Sequence, residues 1–360
     1  MNSWNRRQFA RNVLATSAAL GLPCSAIAAE PQTKDETDAP RRSTSTGADP
    51  YRFVNPELVA AIKALPNIPL TLAVLAQVRN IPLLPPLPPP MPQPQNRMIP
   101  GTPGSPDVHI VIVDPSPGGR NRPVLVHMHG GGYVAANTSL YPFIQKLAHD
   151  CQCVVISVDY RLAPETHFPG SLDDNYAALR WVHANAGTLG IDSTRIAVGG
   201  ESAGGGHAAA LAIRARDRAE VPIIFQLLLY PMLDDRTGST RSVPPSMGQF
   251  IWTPEKNQFG WTALLGVPAG SAQVTPAEAP ARVASVAGLS PAWIGVGSID
   301  LFCDEDIDYA RRLMDAGVST HLNVFPGAYH AFDLLAPNAA VSKRFTESWT
   351  SALRRAFATT

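Results

Sequence analysis

The sequence predicts an α/β protein built on a mainly parallel sheet with helices on both faces. Three observations carry that prediction. From Asp107 onward, short apolar strand-like runs alternate with helical patterns, the rhythm of a parallel sheet covered on both sides. One strand-to-helix joint is Gly200-Glu201-Ser202-Ala203-Gly204, between the apolar run 195–199 and the small-residue run 205–211. Another strand, 124–128, runs directly into His129-Gly130-Gly131-Gly132. Sheets of this kind bind ligands at the carboxyl ends of their strands, where both motifs fall.

The size and composition limit the options. A chain of 360 residues fits one large α/β domain with additions, or two smaller ones. The formal charge is zero and 16% of residues are charged, which argues against a nucleic-acid partner and against electrostatic docking on a membrane. Of the four cysteines, none has Cys-x-x-Cys spacing or a histidine cluster, so no metal site is expected. Cys151 and Cys153, two apart on an expected strand, would share one face, and with Cys303 they read as buried small hydrophobes.

In chain order, residues 1–29 read as an export signal. Arg6-Arg7 with Phe9 look like a twin-arginine signal, and the uncharged stretch that follows ends in Ala26-Ile27-Ala28, a small-residue cleavage pattern. The expected destination is the periplasm or the exterior. A retained anchor is disfavoured because the apolar part is short and interrupted by Pro23, so no stable membrane insertion is expected after processing. Residues 30–50 are polar without apolar periodicity and read as a disordered linker. Residues 51–106 are expected to form cap helices and a proline-rich strap. Asn55-Pro56-Glu57 opens a helix with Leu58, Val59, Ile62 and Leu65 on one face, and a second apolar piece spans 70–78. Eleven prolines then fall between Ile81 and Pro106, which excludes helix and central strand.

The expected core comprises 107–234 and 288–360. Its strands are 108–113 (alternating like an exposed or edge strand), 124–128, 154–158, 195–199, 223–230, 293–299 and 320–325. Its helices are 139–149, 172–186 with Trp181 on the buried side, the helix after Ser202, 304–316 and 341–356. Residues 235–287 break the rhythm with Met247, Phe250, Ile251, Trp252, Phe259, Trp261 and Leu264 among turn residues, and read as a cap insertion of short helices.

The joint at Ser202 has the Gly-x-Ser-x-Gly form of a nucleophile elbow, a tight turn that lifts the hydroxyl above the sheet. A serine needs a base, and the base needs an orienting acid; after such an elbow the acid comes next in the chain and the histidine last. Downstream lie His207, His321 and His330. His207 is one turn into the elbow helix and reads as packing. His321 lies inside a strand and reads as structural. His330 sits in a loop just after a strand, which favours it as base. Asp300 ends the strand run 293–299, on the rim that carries Ser202, and is the favoured acid. Asp304, Glu305 and Asp306 read as the charged first turn of the next helix, with Asp234 and Asp235 in reserve. The glycine run supplies uncrowded backbone N–H groups, so Gly131, Gly132 and Ala203 are the expected oxyanion donors.

His129-Gly-Gly-Gly, Asp159-Tyr-Arg-Leu-Ala-Pro-Glu165 with Phe168-Pro169, Gly200-Glu-Ser-Ala-Gly-Gly205, Asp300 with Asp304-Glu305, and the His330 loop occur in that order. Together they resemble the hormone-sensitive lipase family of bacterial esterases, in the α/β-hydrolase superfamily, from about residue 108 to the C-terminus. The resemblance implies an eight-stranded α/β-hydrolase fold with a helical cap, a carboxylesterase acting on small-molecule esters, no cofactor, and a homodimer formed through the last strand. It also implies that the 159–165 segment braces the glycine loop. Three positions depart from the family pattern: Leu301 follows the acid where Pro is usual, Ala331 follows the histidine where Gly is usual, and Glu201 precedes the serine where Asp or Thr is commoner. The large apolar residues of the insertion point to uncharged acyl or aryl esters of short to medium length. An amidase, arylamidase or peptidase using the same three residues is the nearer alternative. A small-molecule receptor on the same fold, like the plant gibberellin receptors, is the distant one.

Overall fold

The computed structural model describes residues 49–65, 68–80, 86–135 and 141–358. The expected export signal, and all of the expected linker but Asp49 and Pro50, lie outside the described residues. Eight strands form one sheet in the order β1-β2-β4-β3-β5-β6-β7-β8. They are β1 (Pro94–Ile99), β2 (Val108–Val113), β3 (Arg122–Met128), β4 (Val154–Asp159), β5 (Ile191–Glu201), β6 (Phe225–Leu229), β7 (Ala292–Gly297) and β8 (Thr320–Phe325). From β4 to β8 every pairing is parallel, and β1 and β2 extend one side antiparallel. The longer helices are α1 (Pro56–Lys63), α2 (Leu72–Arg79), α3 (Tyr141–Cys151), α4 (Gly170–Ala184), α5 (Ala203–Arg218), α6 (Pro254–Leu265), α7 (Cys303–Asp315) and α8 (Ala340–Ala358).

The period of two along each strand sends neighbouring apolar residues to opposite faces. Ile110, Val126, Ile156, Val198 and Ile294 face one layer, where α4, α5 and α7 supply Leu179, Leu211 and Leu313. Val111, Leu125, Val155, Ala197 and Trp293 face the other, against Ile144 of α3 and Phe345 and Leu353 of α8. Each large side chain so buried contributes roughly 1.5–3 kcal/mol. A third apolar cluster rests on the loops after β3, β5 and β7. It joins Leu75 of α2 to Trp252, Trp261 and Leu264 of the 235–287 segment, over Tyr133, Ala203 and Leu301.

The segment before the core is fastened to the loop that carries His330. Asn55 caps α1 by accepting from Glu57 N–H (3.0 Å), and its own N–H donates to the Gly327 carbonyl (2.8 Å). Tyr329, beside His330, donates its hydroxyl to the Leu58 carbonyl (3.3 Å).

Several expectations need correction. β2 is no edge: Val108 and the run 110–113 are buried, because the strap contributes a strand of its own. β1 begins at Pro94 and pairs with β2 from Pro94↔Val113 to Ile99↔Val108. A proline at the first residue of an edge strand removes no interior ladder bond, so the strap forms an edge strand while staying out of the sheet centre. Cys151 closes α3 rather than standing on a strand beside Cys153; both are buried free thiols, as is Cys303. Asp304, Glu305 and Asp306 do stand in the first turn of α7, but Glu305 and Asp306 are buried inside the fold. Glu305 Oε1 accepts from the N–H groups of Leu233 (2.7 Å) and Asp234 (3.1 Å), holding the chain that leaves β6.

The elbow depends on close backbone approach. A Cβ on Gly204 would lie 2.0 Å from the Met128 carbonyl oxygen, so Gly204→Ala must separate β3 from α5. Equilibrium urea unfolding is expected to show a loss of about 1–3 kcal/mol; stability equal to the parent would contradict the packing described.

Candidate active site

β5 ends at Glu201, and α5 starts at Ala203 with Ser202 between them at φ 57°, ψ −121°. A non-glycine residue in this region costs on the order of 1–3 kcal/mol and persists only where its surroundings over-determine it. Here they do. Ser202 N–H donates to the Leu229 carbonyl (2.9 Å), and its carbonyl accepts from Gly206 N–H and Met232 N–H (both 3.0 Å).

His330 Nε2 lies 2.9 Å from Ser202 Oγ, and its Nδ1 lies 2.8 Å from Asp300 Oδ2. A carboxylate only accepts, so Nδ1 carries the proton and Nε2 offers its lone pair to the serine hydroxyl. The other oxygen of Asp300 accepts from Phe302 N–H (3.0 Å). The rings of Tyr230 and Phe302 stand edge-on to the imidazole at 5.0 and 5.2 Å. All three residues are buried, Ser202 at 6% exposure. Ala331, where the family usually has Gly, takes φ 57°, which accounts for glycine being the commoner choice there.

The glycine loop is held by its carbonyls. In a trans peptide the C=O and N–H of one plane point opposite ways. The Gly130 carbonyl accepts from His129 Nδ1–H (2.8 Å), which turns the Gly131 N–H of the same plane away from His129. The Gly131 carbonyl accepts from Val134 and Ala135 N–H (3.2 and 3.0 Å), which orients the Gly132 N–H in the same manner. The bonds to the Ser202 carbonyl do this for the Ala203 N–H. Among the described residues none of these three N–H groups has an acceptor.

The remaining candidates have other partners or positions. His207 is buried between the rings of Tyr133 and Tyr160. Burial, with smaller contributions from the nearby His129 and Arg214, pulls its pKa down to about 3, so it is a neutral packing group. His321 is exposed on β8 at the sheet edge. Asp234 pairs with Arg236, and Asp235 with Arg282. Arg161 clamps Asp174 (2.8 Å) and the Gly170 carbonyl (3.1 Å).

Other residues at the site were not singled out for these roles by their sequence patterns. Arg79 of α2 donates to the Val134 and Ala163 carbonyls (both 2.7 Å) and to Glu165. That pairing holds the Glu165 carboxyl down to about 2. The Trp252 indole fills the space over Gly132, where a Cβ would meet it at 2.0 Å; its Nε1–H donates to Asn257 (3.1 Å). Next to it, Tyr51, Ile62, Leu65, Phe250, Ile251 and Lys256 border a cavity of about 340 Å³. A larger cavity, about 740 Å³, opens at the amino end of the parallel strands and touches none of the residues around Ser202. The 79–165 and 132–252 pairings are contacts across long stretches of chain, and the only sequence signal for Trp252 was the apolar character of its segment.

The eight-stranded sheet, the elbow and the rim on which these residues meet define an α/β-hydrolase. Residues 125–334 match the family model described as alpha/beta hydrolase fold. The carboxylesterase NlhH of Mycobacterium tuberculosis is 37% identical over 71% of this chain and 81% of its own length. The esterase LipI of the same organism is 33% identical over 81% of this chain and 91% of its own. Among solved structures, a bacterial heroin esterase matches with a TM-score of 0.78 at 36% identity, covering 85% of this chain and 99% of that one. The chain belongs to this family of α/β-hydrolases, of hormone-sensitive-lipase type.

The depressed pKa of His207 makes a stability prediction. The unfolded histidine takes a proton near pH 6.5, whereas the folded one resists until about 3. Stability from this site is therefore complete above about 6.5 and lost as pH falls toward 3, about 2 kcal/mol having gone by pH 5. His207→Gln should flatten the fall in unfolding free energy between pH 7 and 5 by that order; an unchanged slope would mean that the ring is solvated.

Proposed function

We propose that this carboxylic ester hydrolase is a serine carboxylesterase working through Ser202, His330 and Asp300. The hydrogen-bonded series Ser202–His330–Asp300, buried beside three amide N–H groups that have no acceptor among the described residues, carries the reading. Ser202 Oγ attacks the ester carbonyl carbon while His330 Nε2 takes its proton. Asp300 keeps the imidazole in the required tautomer and stabilises the cation that forms. The carbonyl oxygen becomes an oxyanion that receives hydrogen bonds from Gly131, Gly132 and Ala203 N–H. As the tetrahedral intermediate collapses, His330 returns the proton to the departing alcohol oxygen. Water then enters, gives a proton to His330 and attacks the acyl-enzyme, releasing the acid and regenerating the serine.

The substrates proposed are uncharged short- to medium-chain acyl or aryl esters. Trp252 against Gly132 and the apolar cluster over the rim support a confined, apolar site. In this reading α1, α2 and the 235–287 segment form the cap. The carboxylesterase and esterase relatives support ester over amide as the bond cleaved.

A fluorophosphonate probe should label the parent and leave Ser202→Ala unlabelled, with ester turnover falling by at least roughly 10³-fold in the variant. Across p-nitrophenyl esters from two to sixteen carbons, kcat/KM is expected to peak at short or medium length. A steady rise to sixteen carbons, or faster cleavage of the matched amide, would contradict the proposed substrate class.

A further inference from the structure

Glu201 stands directly before the nucleophile, yet its side chain works on a different strand. In the parallel pairing of β3 with β5, His127 lies opposite Gly199, and in that of β3 with β4 it lies opposite Ser157. Alternation puts Glu201 on the same face as residue 199, one rung further on. A row of side chains therefore crosses three strands at their carboxyl ends. Ser157 Oγ is 2.8 Å from His127 Nδ1, and His127 Nε2 is 2.9 Å from Glu201 Oε2. The carboxylate accepts from Nε2–H, so Nδ1 is left to accept the serine hydroxyl. The other oxygen, Oε1, accepts from Gly130 N–H at 2.8 Å. Ser157, His127 and Glu201 are all buried, with exposures of 0%, 1% and 3%.

The peptide joining His129 to Gly130 is thereby gripped at both ends. Its N–H goes to Glu201, and its carbonyl accepts the Tyr160 hydroxyl at 2.7 Å. The next peptide along, between Gly130 and Gly131, carries the first of the free N–H groups. Glycine residues impose little conformational preference of their own, so the direction of that N–H depends on what anchors the planes before it. Gly130 also leaves little room to shift: a Cβ there would lie 3.0 Å from the Glu201 carbonyl oxygen and 3.3 Å from Ser202 Cβ.

We infer that Glu201 is a positioning residue for the oxyanion site. Its carboxylate, steadied by the His127–Ser157 pair, fixes the first peptide of the glycine loop and so aims the Gly131 and Gly132 amides at the point beside Ser202 where negative charge develops. The inference rests on the reading of Ser202 as nucleophile and of those amides as oxyanion donors. It assigns Glu201 a hydrogen-bonding task rather than a charge acting on the histidine. It also accounts for a departure from the commoner Asp or Thr, since the span from β5 to the Gly130 amide is met here by the longer carboxylate.

The test compares the parent with Glu201→Ala, Glu201→Met and Glu201→Gln. Methionine fills similar volume without an oxygen acceptor, whereas glutamine keeps an oxygen for Gly130 N–H and can donate to His127 in its other tautomer. Active sites are first counted with a fluorophosphonate, so that turnover is expressed per reactive Ser202. In the alanine and methionine variants kcat should fall on the order of 10–10²-fold with KM nearly unchanged, less than the roughly 10²–10³-fold of deleting a donor outright. Affinity for an alkylboronic acid, which mimics the tetrahedral intermediate, should fall in parallel. Glutamine should retain both within a few-fold, and where alanine gives no folded protein the methionine variant decides. Parent-like kcat and boronate affinity per labelled site in the methionine variant would overturn the inference and leave the serine-esterase reading intact. Glutamine as impaired as methionine would overturn the hydrogen-bonding role. A parent that is neither labelled nor active on esters would instead overturn the reading beneath it.

Discussion

The site depends on the two ends of one residue's backbone. Ser202 sits at φ 57° because its N–H is committed to Leu229 and its carbonyl to Gly206 and Met232. These bonds link the end of β5 to the end of β6 and to the first turn of α5. They hold a conformation that an isolated chain would leave, and they do so without using the hydroxyl or the Ala203 N–H. What the strain secures is direction: the hydroxyl meets His330 at 2.9 Å, while the following amide stays free for a ligand. The same device recurs in the glycine loop, where carbonyls are satisfied on the protein side and N–H groups are left on the other. Preorganisation of this kind requires no reorganisation when charge develops, which is where such sites gain most of their rate.

The surrounding parts make sense as supports for those directions. Arg79 reaches from α2 to the Val134 carbonyl just past the glycine run and to Glu165 on the neighbouring loop. Asn55 and Leu58 take bonds from or to the His330 loop. Trp252, from the 235–287 segment, lies on Gly132. The elements outside the alternating strands and helices thus touch the loops that carry His330 and the glycines, and one apolar cluster that includes Leu75 of α2 and Trp261 of α6 joins them above the rim.

Much of this was legible in the sequence, for a physical reason. Ser202, Asp300 and His330 each sit at the end of a strand or in the loop after one, and strand ends are marked by local patterns. The glycines announce themselves because close approach excludes every other residue. What stayed illegible needed the register between strands that are distant in the chain. Ser157, His127 and Glu201 form a row only once β4, β3 and β5 are paired. β2 read as an edge because the strand that covers it is hidden in a proline-rich run whose composition argues for a strap. Glu305 looked like a helix-end charge, and only the packing of α7 under the chain leaving β6 reveals that it is buried and bonded to two amides.

The central claim is that three peptide planes, each anchored by its carbonyl, point their N–H groups at one place beside Ser202. A crystal structure of the enzyme phosphonylated on Ser202 tests it most directly. The account predicts one phosphoryl oxygen within about 2.7–3.1 Å of the amide nitrogens of Gly131, Gly132 and Ala203, with the Ser202 backbone unmoved. A phosphoryl oxygen turned toward solvent, or a glycine loop that swings away while His330 still faces the serine, would contradict it.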